Sequence, residues 1–279
     1  MNSAYIGGSF SNAIQSYNSL QAVLQKRMGN GLDGQVAYTY SKCMSDSPGF
    51  FGTGAWGGNG SQTSMGLPGW QNIYDGKSDY GPCYFDETHI LSAYATYQVP
   101  VGRGQKYANN LNPVLNAIVG NWTLSGLVNW HTGNALTTSI GFSDPSGTDG
   151  SGGLFANERP DCSGPASYPK QLEGAPGAYF MQWFSPTTFS VPATNTFGTC
   201  GVGDLRGPRF SETDLSIQKN WLFGEARSLQ FRTDFINAFN HPILDFAGGI
   251  GAFTVGSGMG QITASQGQRN IQFGLKFYF

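Results

Sequence analysis

The residues best suited to covalent or metal chemistry are four cysteines, Cys43, Cys83, Cys162 and Cys200. Cys43 and Cys83 bracket one long stretch rich in Gly, Ser and Asn, while Cys162 and Cys200 lie together in a second. Pairing within each couple would staple each stretch in an oxidising compartment. Four cysteines allow three connectivities, and the sequence leaves the choice among them open. A zinc site built from the thiolates would call for C-x-x-C spacing, which is missing. Disulfides are therefore the expectation ahead of free thiols.

Other candidates for chemistry are thinner. His89, His131 and His241 are far apart, each in or beside a strand-like segment, and read as polar residues at strand ends or on a wet face. Neither HExxH nor a GxSxG elbow occurs. The glycine clusters Gly52–Gly60 and Gly147–Gly153 lack the Lys-Ser/Thr of a phosphate-cradling loop. DPSGTDG, at Asp144–Gly150, opens like an acidic calcium loop but has no Glu at the twelfth position. No catalytic, cofactor-binding or metal site is expected, and the chain is not read as an enzyme.

Aromatic side chains are more suggestive. Phe50, Phe51, Trp56, Trp70, Tyr74 and Tyr80 are spread through the first long stretch, and Tyr179, Phe180, Trp183 and Phe184 cluster in the second. Such groups either form the loops' own small cores or bind amphipathic ligands such as sugars and peptides. Trp56, Trp70, Tyr179 and Trp183 are the candidate ligand contacts.

These residues hang on strands. Leu20, Ala22 and Leu24 alternate with polar neighbours, and after the turn MGNGLDG so do Val36, Tyr38 and Tyr40, which makes a hairpin. Thr88–Val101 reads as another strand. In NWTLSGLVNWHTG, Trp122, Leu124, Gly126, Val128 and Trp130 share one face. LSIQKNWLF, a tight turn at Gly224-Glu225 and ARSLQFRTDFINAFN follow. The end, NIQFGLKFYF, sets Ile271, Phe273, Leu275, Phe277 and Phe279 against Asn270, Gln272, Gly274, Lys276 and Tyr278. Gln230, Arg232, Asp234, Gln272 and Lys276 would then line a polar lumen, with Arg232 and Asp234 near enough to pair. Tyr38, Tyr40, Trp122, Trp130, Trp221 and Phe223, near strand ends, suit an interfacial girdle.

Composition agrees with this. Only 11% of the 279 residues are charged, against about 25% in ordinary soluble domains, while 14% are aromatic and 41 are glycine. No run approaches the roughly 18 apolar residues of a membrane helix. A net charge of -2 gives no reason to expect a nucleic-acid partner. Connections between the strands alternate between short and long, so the long ones share one side, as in outer-membrane barrels. The expected fold is all-β: an antiparallel transmembrane β-barrel segment of about seven strands with long extracellular loops. Seven is an awkward number, because single-chain bacterial barrels have an even count of at least eight. An open sheet would leave edge groups unpaired in hydrocarbon. The start, MNSAYIGGSFSNAIQSYNSL, has no basic region, apolar core or cleavage site of a signal peptide.

Four stretches carry a family likeness: Ser16–Asp46, Phe85–Tyr107, Gly201–Phe223 and Ser228–Phe246, the last leading into QRNIQFGLKFYF. Together they resemble the C-terminal barrel of TonB-dependent outer-membrane receptors, in particular the Oar-like group with a carboxypeptidase-regulatory-like domain. The resemblance implies that residues 1–279 are the C-terminal part of such a barrel, roughly a third of its roughly twenty-two strands, with plug and signal peptide absent. It implies outer-membrane lipid as surroundings, an unknown ligand, and contact with TonB only through the missing plug region. It also implies that Phe273, Leu275, Phe277 and Phe279 form the C-terminal signal read by the barrel assembly machinery. Two other readings stay open: a secreted β-sandwich or adhesin binding carbohydrate through loop aromatics, and a small porin-like barrel with an eighth strand hidden in the first dozen residues or in a long loop.

Overall fold

The computed structural model describes residues 13–46, 70–72, 74–141, 143–148, 158–174, 179–224, 227–246 and 252–279. Seven long strands carry the fold: β1 (Gln15–Gly29), β2 (Leu32–Ser45), β3 (His89–Gln98), β4 (Trp122–His131), β5 (Phe210–Phe223), β6 (Arg227–Ile236) and β7 (Asn270–Tyr278). Each pairs antiparallel with the next in chain order, making one meander, and Gly81–Pro82 adds a short strand to β2. The sheet does not close, so β1 and β7 are its edges. No second sheet of long strands faces it among the described residues, unlike the arrangement of a sandwich.

Register converts the alternation of the sequence into two faces. Leu20 pairs with Tyr40, Ala22 with Tyr38 and Leu24 with Val36, and the row continues through Leu91, Trp130, Leu124 and Ile217 to Phe231 and Leu275. Side chains two apart share a face, so this whole row looks to one side. Most of it is not covered by protein: Leu24 is 74% exposed and Phe273 73%, while Lys219 at one end is buried. The opposite row is polar, from Ser41 and Thr39 through Ser92, Asn129 and Gln218 to Arg232 and Gln272.

The β1–β2 turn is Asn30-Gly31, both at positive φ, 54° and 79°. This is the backbone of a type I′ hairpin and explains the Asn-Gly pair. A Cβ at Gly31 would sit 2.6 Å from the Gln98 carbonyl oxygen, so the end of β3 also requires glycine there. The β3–β4 connection contains a short helix, α1 (Pro113–Val119). Asn112 caps it by accepting the Leu115 N–H at 2.8 Å, and Pro113 starts it where no amide donor is needed.

The three long connections, 46–88, 132–209 and 237–269, all leave the same end of the sheet. They are more ordered than a reading as plain loop implies. Ala135–Leu136 pairs with Leu205–Arg206, Asp161–Cys162 with Phe189–Ser190, Ile243–Asp245 with Ala264–Gln266, and Phe180–Gln182 bridges Gln171–Glu173 to Gln261–Ile262. Between them lies the protein's dry interior: Leu136, Trp183, Phe184, Phe189, Leu205, Phe246, Phe253, Met259 and Ile262. The apolar core thus sits in a cap over one rim, while the sheet leaves both of its faces uncovered by other long strands.

Candidate functional site

Two surfaces can do work, the cap and the polar face of the sheet. The cap is pinned covalently. Cys43 at the end of β2 is bonded to Cys83, and Cys162 to Cys200, with Cα–Cα distances of 5.4 and 5.0 Å. This is the within-couple pairing. Among the described residues the one cluster with metal-ligand proximity is Cys162, Cys200 and Asp204, but its two sulfurs are joined to each other and offer no thiolate.

Buried charge ties the connections together. Arg159, in the second, donates to the Asp79 carboxylate of the first, and its Nε donates to the Cys200 carbonyl at 2.8 Å. Gln71 completes the knot: its Nε2 donates to the Gly198 carbonyl at 2.9 Å, and its Oε1 accepts the Arg159 N–H at 2.9 Å. Arg206 grips Asp86 through the carboxylate and the backbone carbonyl, at 2.8 and 2.7 Å. Asp86 in turn accepts the Cys43 N–H at 2.7 Å, linking the cap to the rim of the sheet. At the third connection Asn237, buried and at φ 48°, accepts the His241 N–H at 2.9 Å and donates to the His241 and Gly267 carbonyls.

The sequence reading missed these organisers. Asp86, Arg206 and Asn237 stand in the family-like stretches, whereas Asp79, Arg159 and Gln71 carry no local signal because their partners are far away in sequence.

Of the candidate ligand contacts, Trp56 lies outside the described residues. Trp70 is half-buried and donates its indole N–H to the Asp46 carbonyl at 2.7 Å, closing the base of the first connection. Tyr179 is exposed. Trp183 is a correction: it is buried in the cap core, donates to the Arg206 carbonyl at 2.8 Å, and has Lys170 over its ring. Phe184 is buried beside it, so this cluster is packing and not a binding platform.

The acidic loop has a partner that spacing did not reveal. Ser146 bonds both the Asp144 and Glu158 carboxylates, and Glu158 is fully buried with its Oε2 lacking a hydrogen-bond partner. Burial pushes the Glu158 carboxyl above its ordinary range; the Ser146 bond opposes this, and Asp144 beside it adds to it.

On the polar face, Gln230 pairs with Lys276, Arg232 with Gly274 and Asp234 with Gln272, so the five residues expected in a lumen share one wall. Arg232 Nε meets Asp234 Oδ1 at 2.8 Å. His131 ends this wall, stacked on Phe210 and 3.3 Å from Glu87. Burial raises the Glu87 carboxyl, opposed by His131 and reinforced by Asp86. His89 stands at the start of β3, the strand-end alternative, and not on the wet face. It faces the apolar side with Tyr40, and its Nδ1 lies 2.7 Å from the Tyr38 hydroxyl, joining the aromatic girdle.

A single sheet with one apolar and one polar face, capped at one rim by long connections, is the geometry of a barrel wall in lipid. The sequence matches the family described as an outer membrane beta barrel domain over residues 2–272. The chain belongs to that family. No curated protein and no solved structure matches it. The barrel domain is accordingly an outer-membrane protein. Its apolar row, with Phe273, Leu275 and Phe277 exposed on β7, is the side that meets lipid. No described helix is long and apolar enough to cross a membrane, which is silent about strands.

Proposed function

We propose that this barrel domain forms wall and ligand-contacting loops of a TonB-dependent receptor, completed by strands outside the described residues. The open edges of β1 and β7 carry this reading. In hydrocarbon each unpaired backbone group costs several kcal/mol, so the sheet requires partners on both edges. The four family-like stretches, lying on β1–β2, β3, β5 and β6–β7, supply the receptor assignment. On this reading the disulfide-pinned cap faces outward and meets the ligand, exposed Tyr179 among its contacts, while Arg232, Asp234, Gln272 and Lys276 line the lumen against a plug. The plug would carry the contact with TonB, and β7 with Phe279 would be read by the barrel assembly machinery.

The test is the genomic reading frame ahead of the Met1 codon. A frame continuing into further alternating strands, a plug and a signal peptide supports the receptor. A stop codon with a ribosome site directly before Met1 defeats it.

A further inference from the structure

Helix α1 is unusual for a connection at the short-turn rim. Residues 112–119, NPVLNAIV, contain no charge, and Val114, Leu115, Ile118 and Val119 are exposed, Val114 at 70% and Ile118 at 61%. A short helix showing four apolar side chains to water has no reason to be stable there.

Its mounting says which medium it faces. Three side chains of the lipid-facing row hold it. Trp122 donates its indole N–H to the Ile118 carbonyl at 2.9 Å, and Trp221 donates to the Ala117 carbonyl at 2.8 Å. Between them Lys219, 1% exposed, donates its ammonium to the Gly120 carbonyl at the helix C-terminus and lies over both indole rings, 5.3 and 5.6 Å from their centroids. Cations near helix C-termini and over indole faces are both favoured arrangements. So α1 is clamped on the lipid side of the wall and not over the lumen mouth. Indoles pointing their N–H into a polar margin are typical of the membrane interface. In the same connection Arg103 and Lys106 are exposed, the former fixed by its backbone N–H to Asn116 Oδ1 at 2.7 Å.

We propose that α1 is an interfacial anchor whose Val114, Leu115, Ile118 and Val119 insert among the acyl chains of the leaflet at the short-turn rim, with Arg103 and Lys106 at the phosphate headgroups. The occupant is phospholipid, because the patch is continuous with the lipid-facing row and has cations beside it. Lys219 is the positioning residue: it holds the helix end against the wall, and the two indoles shield its charge. The inference rests on the barrel reading and adds an in-plane element to it.

Site-directed spin labelling tests it on the protein expressed from its whole reading frame, purified from the outer membrane and reconstituted into phosphatidylethanolamine/phosphatidylglycerol vesicles. Ile118→Cys, Leu275→Cys and Lys106→Cys each carry one label; the native cysteines, all in disulfides, take none. Collision with oxygen reports acyl chains, and collision with a water-soluble nickel chelate reports solvent. The oxygen-to-nickel ratio at 118 should match that at 275 within about threefold and exceed that at 106 by about fivefold or more. A low ratio at 118 with a high one at 275 overturns the anchor and leaves the barrel standing. Low ratios at both positions overturn both.

Discussion

Arg159 and Asp79, eighty residues apart, meet as a buried ion pair that locks the second long connection onto the first. Both side chains are nearly inaccessible, and the guanidinium also holds the Ser78 and Cys200 carbonyls. Removing one partner of such a pair strands the other charge without water. Asp79→Ala is therefore expected to destabilise the cap by about 3–5 kcal/mol. Limited proteolysis should show cap cleavage accelerating while the strands stay protected.

Each disulfide closes a loop of similar size, with sequence separations of 40 and 38. By chain entropy each contributes about 4 kcal/mol. Reduction with dithiothreitol should lower the midpoint for cap unfolding. Cys162→Ser with Cys200→Ser should lose the larger part of the cap core, because Cys200 is packed within it. Near-UV circular dichroism of the cap aromatics follows this directly.

Glu158 gives a pH dependence with a definite sign. Burial raises its folded-state value above the ordinary 4.5, so the folded protein favours the protonated form. The stability this provides is complete below about 4.5 and is lost as pH rises through the raised value. Glu158→Gln, always uncharged, should raise the cap melting temperature at pH 7, and the gain should vanish near pH 4. A gain of equal size at both pH values would contradict burial as the cause.

Phe279 separates assembly from stability. It is 96% exposed, follows the last strand, and has a ring contact with Phe277, at 6.1 Å between centroids. Phe279→Ala should change folding free energy by less than about 0.5 kcal/mol. If the terminal aromatic is read by the assembly machinery, the amount of protein reaching the outer membrane should still fall severalfold. Refolding in detergent and membrane fractionation give the two measurements.

What could be read in the sequence divides along a physical line. Strands in lipid are specified residue by residue through alternation, so β2, β4 and β7 were visible as rows such as Val36-Tyr38-Tyr40 and Ile271-Phe273-Leu275. The Asn30-Gly31 turn was visible for the same reason, since its chemistry is local. The cap was not, because its order comes from pairings across long separations. Trp183 had the composition of a binding residue and the surroundings of a core residue, and only Leu136, Phe253 and Met259, distant in sequence, distinguish the two. Lys219 was hidden inside an apolar strand row, and its role depends on a helix a hundred residues earlier. Glu158 stands outside the twelve-residue calcium template, so spacing alone could not associate it with Asp144.

That the dry core lies in the cap and not beneath the sheet divides the molecule's evolutionary freedom. A substitution at Phe253 or Leu205 is felt by neighbouring cap residues and is invisible to the lipid-facing wall. A substitution at Leu24 or Phe231 is judged by the bilayer and leaves the cap unaware. The cap can therefore change its packing without altering how the wall meets lipid. Residues that join the two parts, such as Cys43 and Asp86 at one point of the rim and Asn237 with Asp214 at another, are felt by both.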